Sequence, residues 1–327
     1  MTKHACQARI VAALLLGFVL QGCSVWLGPL EPPKLPVPAQ RSLRFDGVTI
    51  VRPGEGRMPA QTIEVREGLI ATIADTPSGP ATRFAGSFVV PGLIDMHVHY
   101  LPSFIVGNNE IFSLLYLFHG VTSVRDVGSP DGIALSIRER TARGDLMGPR
   151  VFSCGEMIDG NPAVWDFARS VESAEEARQA VREQAANGAD CIKVYERISP
   201  EALRAVHEAA QVYDLPVIGH VPFAVPLDEA GIRDIQHLTG VANLANPNYA
   251  TWEEKQQAWF GMRQEVFDFV VQVSRDQGIA HTPTLVHVDH SARIEDYSEQ
   301  PPMPKALLLP RFCATWSGTW STTWDGA

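Results

Sequence analysis

Four histidines and one lysine are the residues whose types and positions could do chemistry. His97 and His99 end the run Val90-Pro91-Gly92-Leu93-Ile94-Asp95-Met96-His97-Val98-His99. The run reads as an apolar strand. Successive strand side chains point to opposite faces, so the two imidazoles share one face. Neutral imidazole is the commonest metal ligand, and two at one strand end can grip a single ion. Lys193 lies within Asp190-Cys191-Ile192-Lys193-Val194-Tyr195, a second apolar strand pattern. A lysine inside such a strand is costly unless neutralised or paired, the alternative being a side chain that snorkels from the strand end. Burial of an amine favours its neutral form, and a neutral amine can take up carbon dioxide as a carbamate. A carbamate is an anionic, two-oxygen group suited to two metal ions. His220 closes Pro216-Val217-Ile218-Gly219-His220, and His237 sits in Asp234-Ile235-Gln236-His237-Leu238-Thr239-Gly240. Singly, each would be an ordinary core or surface histidine.

These side chains need a scaffold that brings distant strand ends together. From Phe88 onward, apolar strand-like runs alternate with helical patterns, the signature of βαβ units and a parallel sheet. Strands are expected at 89–98, 121–127, 151–154, 191–195, 216–220, 235–238 and 282–286. Ser173-Ala174-Glu175-Glu176 is a capping box that opens a helix to about Ala186, with Gly188 past its end. Thr251-Trp252-Glu253-Glu254 opens another to about Asp276, before Gly278. Ser199-Pro200-Glu201 supplies a cap, an N1 proline and an early acid before a helix at 202–212. Seven strands with intervening helices point to a (β/α)₈ barrel with one strand uncounted. Barrel enzymes place their sites at the C-terminal ends of strands, where all five candidates fall.

The run Pro-Gly-Leu-Ile-Asp-x-His-x-His resembles the first metal-binding strand of the amidohydrolase superfamily. Lys193, His220 and His237 match, in order, that superfamily's strand-4 lysine and its single histidines on strands 5 and 6. Glu67-Gly68-Leu69-Ile70-Ala71-Thr72-Ile73 resembles a hairpin of the small β-sandwich that precedes the barrel in many members. The resemblance implies an α/β, TIM-type (β/α)₈ barrel over residues 86–310, with a small N-terminal β-sandwich half over 43–85. It implies a metal-dependent hydrolase of amide or other C–N bonds in small molecules, most similar to imidazolonepropionase-like and Xaa-Pro dipeptidase-like enzymes. One ion would be held by His97 and His99, the other by His220 and His237, with carboxylated Lys193 bridging them. A metal-bound hydroxide would then attack the carbonyl. Zinc is the default for this nitrogen and oxygen donor set, and other divalent metals fit it. The runs Val124-Arg125-Asp126-Val127-Gly128 and Gly148-Pro149-Arg150 also resemble superfamily segments. Arg125 and Asp126 are expected as an internal ion pair or as support behind the ligands. His281 is a lesser candidate for the pocket. His4, His119, His207, His287 and His290 read as uninvolved.

The superfamily's strand 8 normally ends in a metal-binding, proton-shuttling aspartate, and no equivalent follows Val286. No catalytic residue is therefore nominated, and the barrel is expected to be incomplete, with strand 8 missing. Residues 311–327 read as an atypical tail, with Trp316, Trp320 and Trp324 at four-residue spacing. A truncated or frame-shifted reading frame would account for it. Two other readings stay open: a non-catalytic, degenerate lipoprotein that binds metal or ligand, and an inactive fragment. Missing elements would leave apolar barrel and sandwich edges exposed.

The chain has 327 residues, 45% of them hydrophobic, enough for one large domain or for a barrel with a small satellite. A formal charge of −10 argues against nucleic acid as a partner. Lys3 and Arg9 precede an apolar run from Ile10 to Leu20, too short for a comfortable membrane span but suited to a signal peptide. Leu20-Gln21-Gly22-Cys23 resembles a bacterial lipobox, which implies a signal peptide at 1–22 and a lipid anchor on Cys23. The chain would then sit in the cell envelope, on a periplasmic or outer-membrane face. Five prolines between Gly28 and Pro38 make 23–42 an extended linker. Of the five cysteines, Cys6, Cys23, Cys154, Cys191 and Cys313, the last three are too widely spaced to read as a disulfide framework. Cys154 and Cys191 are expected as small buried hydrophobes.

Overall fold

The computed structural model describes residues 42–76, 84–101, 109–246 and 252–292. The expected signal peptide, Cys23, nearly all of the linker and the 311–327 tail lie outside the described residues. The described residues form two compact units, one within residues 42–156 and 188–190, the other within 157–187 and 191–292.

In the first unit, β1 (Ser42–Arg52), β2 (Gly56–Arg66) and β3 (Leu69–Asp75) form an antiparallel meander, and β4 (Phe88–Val89) joins β1 in parallel. One face of the meander buries Val48, Ile50 and Ile63, with Phe45, Met58, Val65, Phe84 and Val89 packed around them. Residues of β3 are exposed throughout. A separate parallel sheet of β5 (Leu93–Val98), β6 (Val121–Asp126) and β7 (Arg150–Ser153) carries the first histidine pair. The helices α1 (Asn109–Phe118) and α2 (Ile133–Arg143) connect its strands. Gly92 explains part of the motif before β5: a Cβ there would lie 2.0 Å from Thr122 Oγ1, so only glycine lets the chain enter beside β6.

The second unit holds a six-stranded, all-parallel sheet in the order β13-β12-β11-β10-β8-β9. Its strands are β8 (Ile158–Asp159), β9 (Arg169–Ser170), β10 (Ile192–Val194), β11 (Val217–Gly219), β12 (Asp234–Gln236) and β13 (Ala280–Thr282). The first cross-connection is α3 (Ala174–Ala186), with Ser173 Oγ accepting from Glu176 N at 3.3 Å. The second is α4 (Pro200–Val212), with Ser199 Oγ accepting from Ala202 N at 3.1 Å. Both starts follow the capping chemistry written in the sequence. Ile158, Val181, Ile192, Val194, Val206 and Ile235 belong to one continuous core. The remaining helices are α5 (Val241–Ala245), α6 (Trp252–Phe260), α7 (Gln264–Gln277) and α8 (Leu285–Ala292). Among the described residues no helix is long and apolar enough to cross a membrane.

The structure corrects several expectations. The long helix expected from 252 to 276 is two helices, α6 and α7, broken at Gly261, where Met262 N turns back to Trp259 O at 3.3 Å. Glycine costs most inside a helix, and here it marks the break. The seventh strand is shorter and earlier than 282–286, and residues from Leu285 are helical, so His287 lies on a helix rather than in a loop. The two-residue strands β8 and β9 escape pattern reading because two residues carry no period. Cys154 and Cys191 are buried, but each is disulfide-bonded, so neither is the simple buried thiol expected.

Candidate metal centre

In the first unit, β5 delivers His97 and its extension delivers His99. Their Nε2 atoms stand 3.2 Å apart. Two nitrogens at about 2.0–2.1 Å from one tetrahedral ion would be separated by about 3.3 Å. The pair therefore already has the spacing of two ligands on one cation. His99 Nδ1–H donates to the Gly128 carbonyl at 2.9 Å, which leaves Nε2 as the lone-pair nitrogen. That carbonyl is held in turn. Asp126 Oδ1 accepts from Gly128 N at 3.2 Å, while Oδ2 accepts from Tyr100 N at 2.8 Å and from the Ser129 hydroxyl. Asp126 is fully buried, and desolvation pushes its carboxyl up to about 6 against those stabilising hydrogen bonds. Arg125 donates its Nε to the Met96 carbonyl at 3.0 Å. Asp126 thus holds the Gly128 segment through main-chain N–H groups and the Ser129 hydroxyl, and Arg125 holds the Met96 carbonyl.

In the second unit, β10, β11 and β12 bring Lys193, His220 and His237 to neighbouring strand ends. Lys193 and Ile218 are partners across β10 and β11, and Gly219 and Ile235 across β11 and β12. Gly219 has φ +137°, and a Cβ on it would lie 2.2 Å from the Val194 carbonyl. Glycine is required there, immediately before the histidine. The rings of His220 and His237 meet edge to face with centroids 5.0 Å apart. His220 Nδ1–H donates to Glu196 Oε1 at 3.0 Å. His237 Nδ1 lies 2.5 Å from Thr284 Oγ1, whose own proton goes to the Pro283 carbonyl at 2.8 Å, so here too Nδ1 is the donor. His237 and Leu238 both adopt left-handed backbone, with φ +55° and +53°. Such strain in non-glycine residues is concentrated where function over-determines the chain.

Three of the four histidines thus share one tautomer, with Nδ1–H spent on an oxygen. That arrangement is the usual outer support of a metal-ligating imidazole. Lys193 is 1% exposed; its Nζ donates to Gln236 Oε1 and lies 5.6 Å from the Tyr195 ring centroid. Tyr195 stacks on His220 at 4.0 Å between centroids. Burial raises its hydroxyl pKa well above the usual tyrosine value, so it stays protonated. Trp165 Nε1–H donates to that hydroxyl at 3.0 Å, and the Trp165 and Phe167 rings stack at 5.8 Å. Buried Asp159 fixes this aromatic loop by accepting from Gly160 N at 2.9 Å, Val164 N at 2.8 Å and Arg197 N at 2.7 Å.

Sequence reasoning missed Glu196, Thr284, Gly128, Asp159 and Trp165 as contributors. His281, the lesser candidate, lies on β13 with Nε2 2.8 Å from Ser274 Oγ, and burial lowers its pKa. The ring centroid of His287 is 6.4 Å from that of His237. Among the described residues no three His, Cys, Asp or Glu side chains are placed to hold one ion.

Residues 88–249 match the amidohydrolase family. The fold is similar to that of a bottromycin amidohydrolase, at 27% identity and TM-score 0.56 over 67% of this chain and 47% of that one. It is also similar to a Xaa-Pro dipeptidase with methionine bound in its active site, at 21% identity and TM-score 0.53, covering 84% of this chain and 73% of that one. An ochratoxinase from A. niger matches at 17% identity and TM-score 0.53, over 84% and 71% of the two chains. The chain spans about half the length of the bottromycin amidohydrolase it matches. No curated protein matches the sequence. The matched segment contains all four histidines and Lys193.

Proposed function

We propose that the chain is a metal-dependent hydrolase of amide or other C–N bonds, acting on dipeptide or non-peptide substrates. The observation that supports this reading is the common tautomer of His99, His220 and His237, each with Nδ1–H committed to an oxygen. His97 and His99 would hold one divalent ion, and His220 and His237 a second. Lys193, carbamylated, would supply carboxylate oxygens where histidines alone fall short. When bound, divalent ions, zinc by default, supply Lewis acidity that polarises a carbonyl and acidifies water.

The chain's own residues do the rest. Glu196, Thr284 and the Gly128 carbonyl fix the imidazole planes, and Asp126 anchors the loop that carries Gly128. Tyr195, protonated across the working pH range, offers a hydroxyl beside His220. Trp165, 40% exposed, and Phe167 form a rigid aromatic wall for the apolar part of a substrate. The parallel α/β architecture is of the kind that TIM-type barrels use, with strand ends presenting the site.

The test is metal content of the purified full chain, followed by turnover on a panel of N-acyl amides and dipeptides. Two divalent ions per chain, with turnover lost to a chelator and restored by zinc, are expected. Metal without turnover would identify a binding protein, and neither would sink the reading. For localisation, we propose export and lipid attachment at Cys23, a compartment in which the disulfide bonding of Cys154 and Cys191 is favourable. Cys23→Ser should shift the chain from the membrane fraction to the soluble fraction, and an unchanged distribution would remove the anchor.

A further inference from the structure

Gln236 is 0% exposed and lies directly before His237. Its Oε1 accepts from Lys193 Nζ. The orientation of the amide is forced: Nζ donates, so the oxygen must face it. Its Nε2, with two N–H donors, then points into the interior and meets no hydrogen-bond acceptor among the described residues. Leaving a buried amide donor unmade is unfavourable, and native interiors seldom do it. An acceptor belongs beside the Lys193 terminus.

We infer that Gln236 is the positioning residue that captures Lys193 as its carbamate, pairing with it at two points. The inference rests on the carbamate reading of Lys193 proposed above. The reaction balances with carbon dioxide as the co-reactant. The lone pair of the neutral Lys193 amine forms an N–C bond, one C–O π pair becomes an oxygen lone pair, and one N–H proton leaves to solvent. The product, R–NH–COO⁻, keeps an N–H donor and gains an acceptor oxygen next to it. A primary amide offers the complementary acceptor and donor side by side. Oε1 can therefore keep the bond it already accepts from Nζ, while Nε2 gains a charged acceptor. Gln236 favours the modified lysine over the bare amine because only the modified form uses both ends of the amide.

Carbon-13 NMR of the full chain equilibrated with ¹³C-bicarbonate tests this without reference to turnover. The wild type should show one carbamate resonance that is absent from Lys193→Arg. Gln236→Met, close in shape but lacking the amide, should lower carbamate occupancy at fixed bicarbonate by at least about tenfold, and Gln236→Glu, which adds a like charge, should lower it further. Circular dichroism establishes that each variant is folded. In the wild type, the side-chain NH₂ signals of ¹⁵N-labelled Gln236 should shift when bicarbonate is added, a measurement that needs no variant. A wild-type resonance that survives undiminished in folded Gln236→Met, or NH₂ signals that do not move while the carbamate forms, would overturn the role of Gln236. Absence of any carbamate in the wild type would instead overturn the reading of Lys193 itself.

Discussion

The two histidine pairs stand on strands of opposite character. In the first unit, β5 is mostly exposed: Leu93, Ile94 and Met96 face outward, and Val98 is its buried residue. In the second unit, every residue of β10, β11 and β12 is buried. The outer support differs in the same direction. His99 leans on a main-chain carbonyl that Asp126 holds from behind, whereas His220 and His237 lean on the side chains of Glu196 and Thr284. The second pair is thus built into a core, and the first rests on a loop. A parallel sheet is normally covered on both faces, so the exposed β5 is the exception. Stability and metal affinity should be separable in the first unit and coupled in the second.

The largest effect sharpens this contrast through packing alone. Ile235→Ala, in the fully buried β12, should cost about 2–5 kcal/mol in denaturant unfolding. Ile94→Ala, at 60% exposure on β5, should cost less than about 0.5 kcal/mol. Equal losses would erase the distinction between the strands. Next comes the support of the ligands. Glu196→Gln should weaken metal retention in the second unit by about 10–100-fold while metal held by His97 and His99 is unaffected. Metal stoichiometry during a chelator titration reads both, and a uniform loss would mean that the pairs are not independent.

Asp126 gives the pH-dependent counterpart in the first unit. Its folded pKa of about 6 lies above the ordinary value of 3.8. Between those values the folded state holds a proton that the unfolded state has lost. Stability therefore falls as pH rises from about 4 to about 6, and the loss persists above that window. A carboxamide in its place cannot titrate, so the difference between wild type and Asp126→Asn should slope by up to about 1.4 kcal/mol per pH unit within the window and flatten above it. A difference that is flat throughout would show that Asp126 titrates as an ordinary carboxyl.

These tests use residues of unequal visibility in the sequence. The placement of the four histidines and Lys193 on or just past strands was legible because strand alternation and position in an ordered series are local properties. The caps at Ser173 and Ser199 were legible for the same reason. Glu196, Gly128 and Thr284 were not: they meet their histidines across 24, 29 and 47 residues, from loops without a pattern of their own. Asp126 was read as an ion-pair member or as support behind the histidines because a neighbouring arginine is the obvious partner in a linear text, and the fold gives it main-chain N–H groups and the Ser129 hydroxyl. Gln236 sat in full view beside His237, yet only the fold shows that Lys193, 43 positions away, is its partner.

The smallest expected effect concerns β3, where the contrast between the units is least expected to matter for stability. Ile70 is 64% exposed at the outer strand of the meander and pairs with β2. Threonine keeps the β-branched shape that suits a strand and replaces apolar surface with a hydroxyl that water can satisfy. Ile70→Thr should therefore change unfolding free energy by no more than about 0.5 kcal/mol, because little buried area is removed. An exposed apolar edge is also a template for unwanted strand pairing, so the same substitution should reduce concentration-dependent association measured by light scattering. A large loss of stability instead would mean that Ile70 is covered in solution by something that packs against this strand, and the meander would then have to be counted with the buried sheets rather than against them.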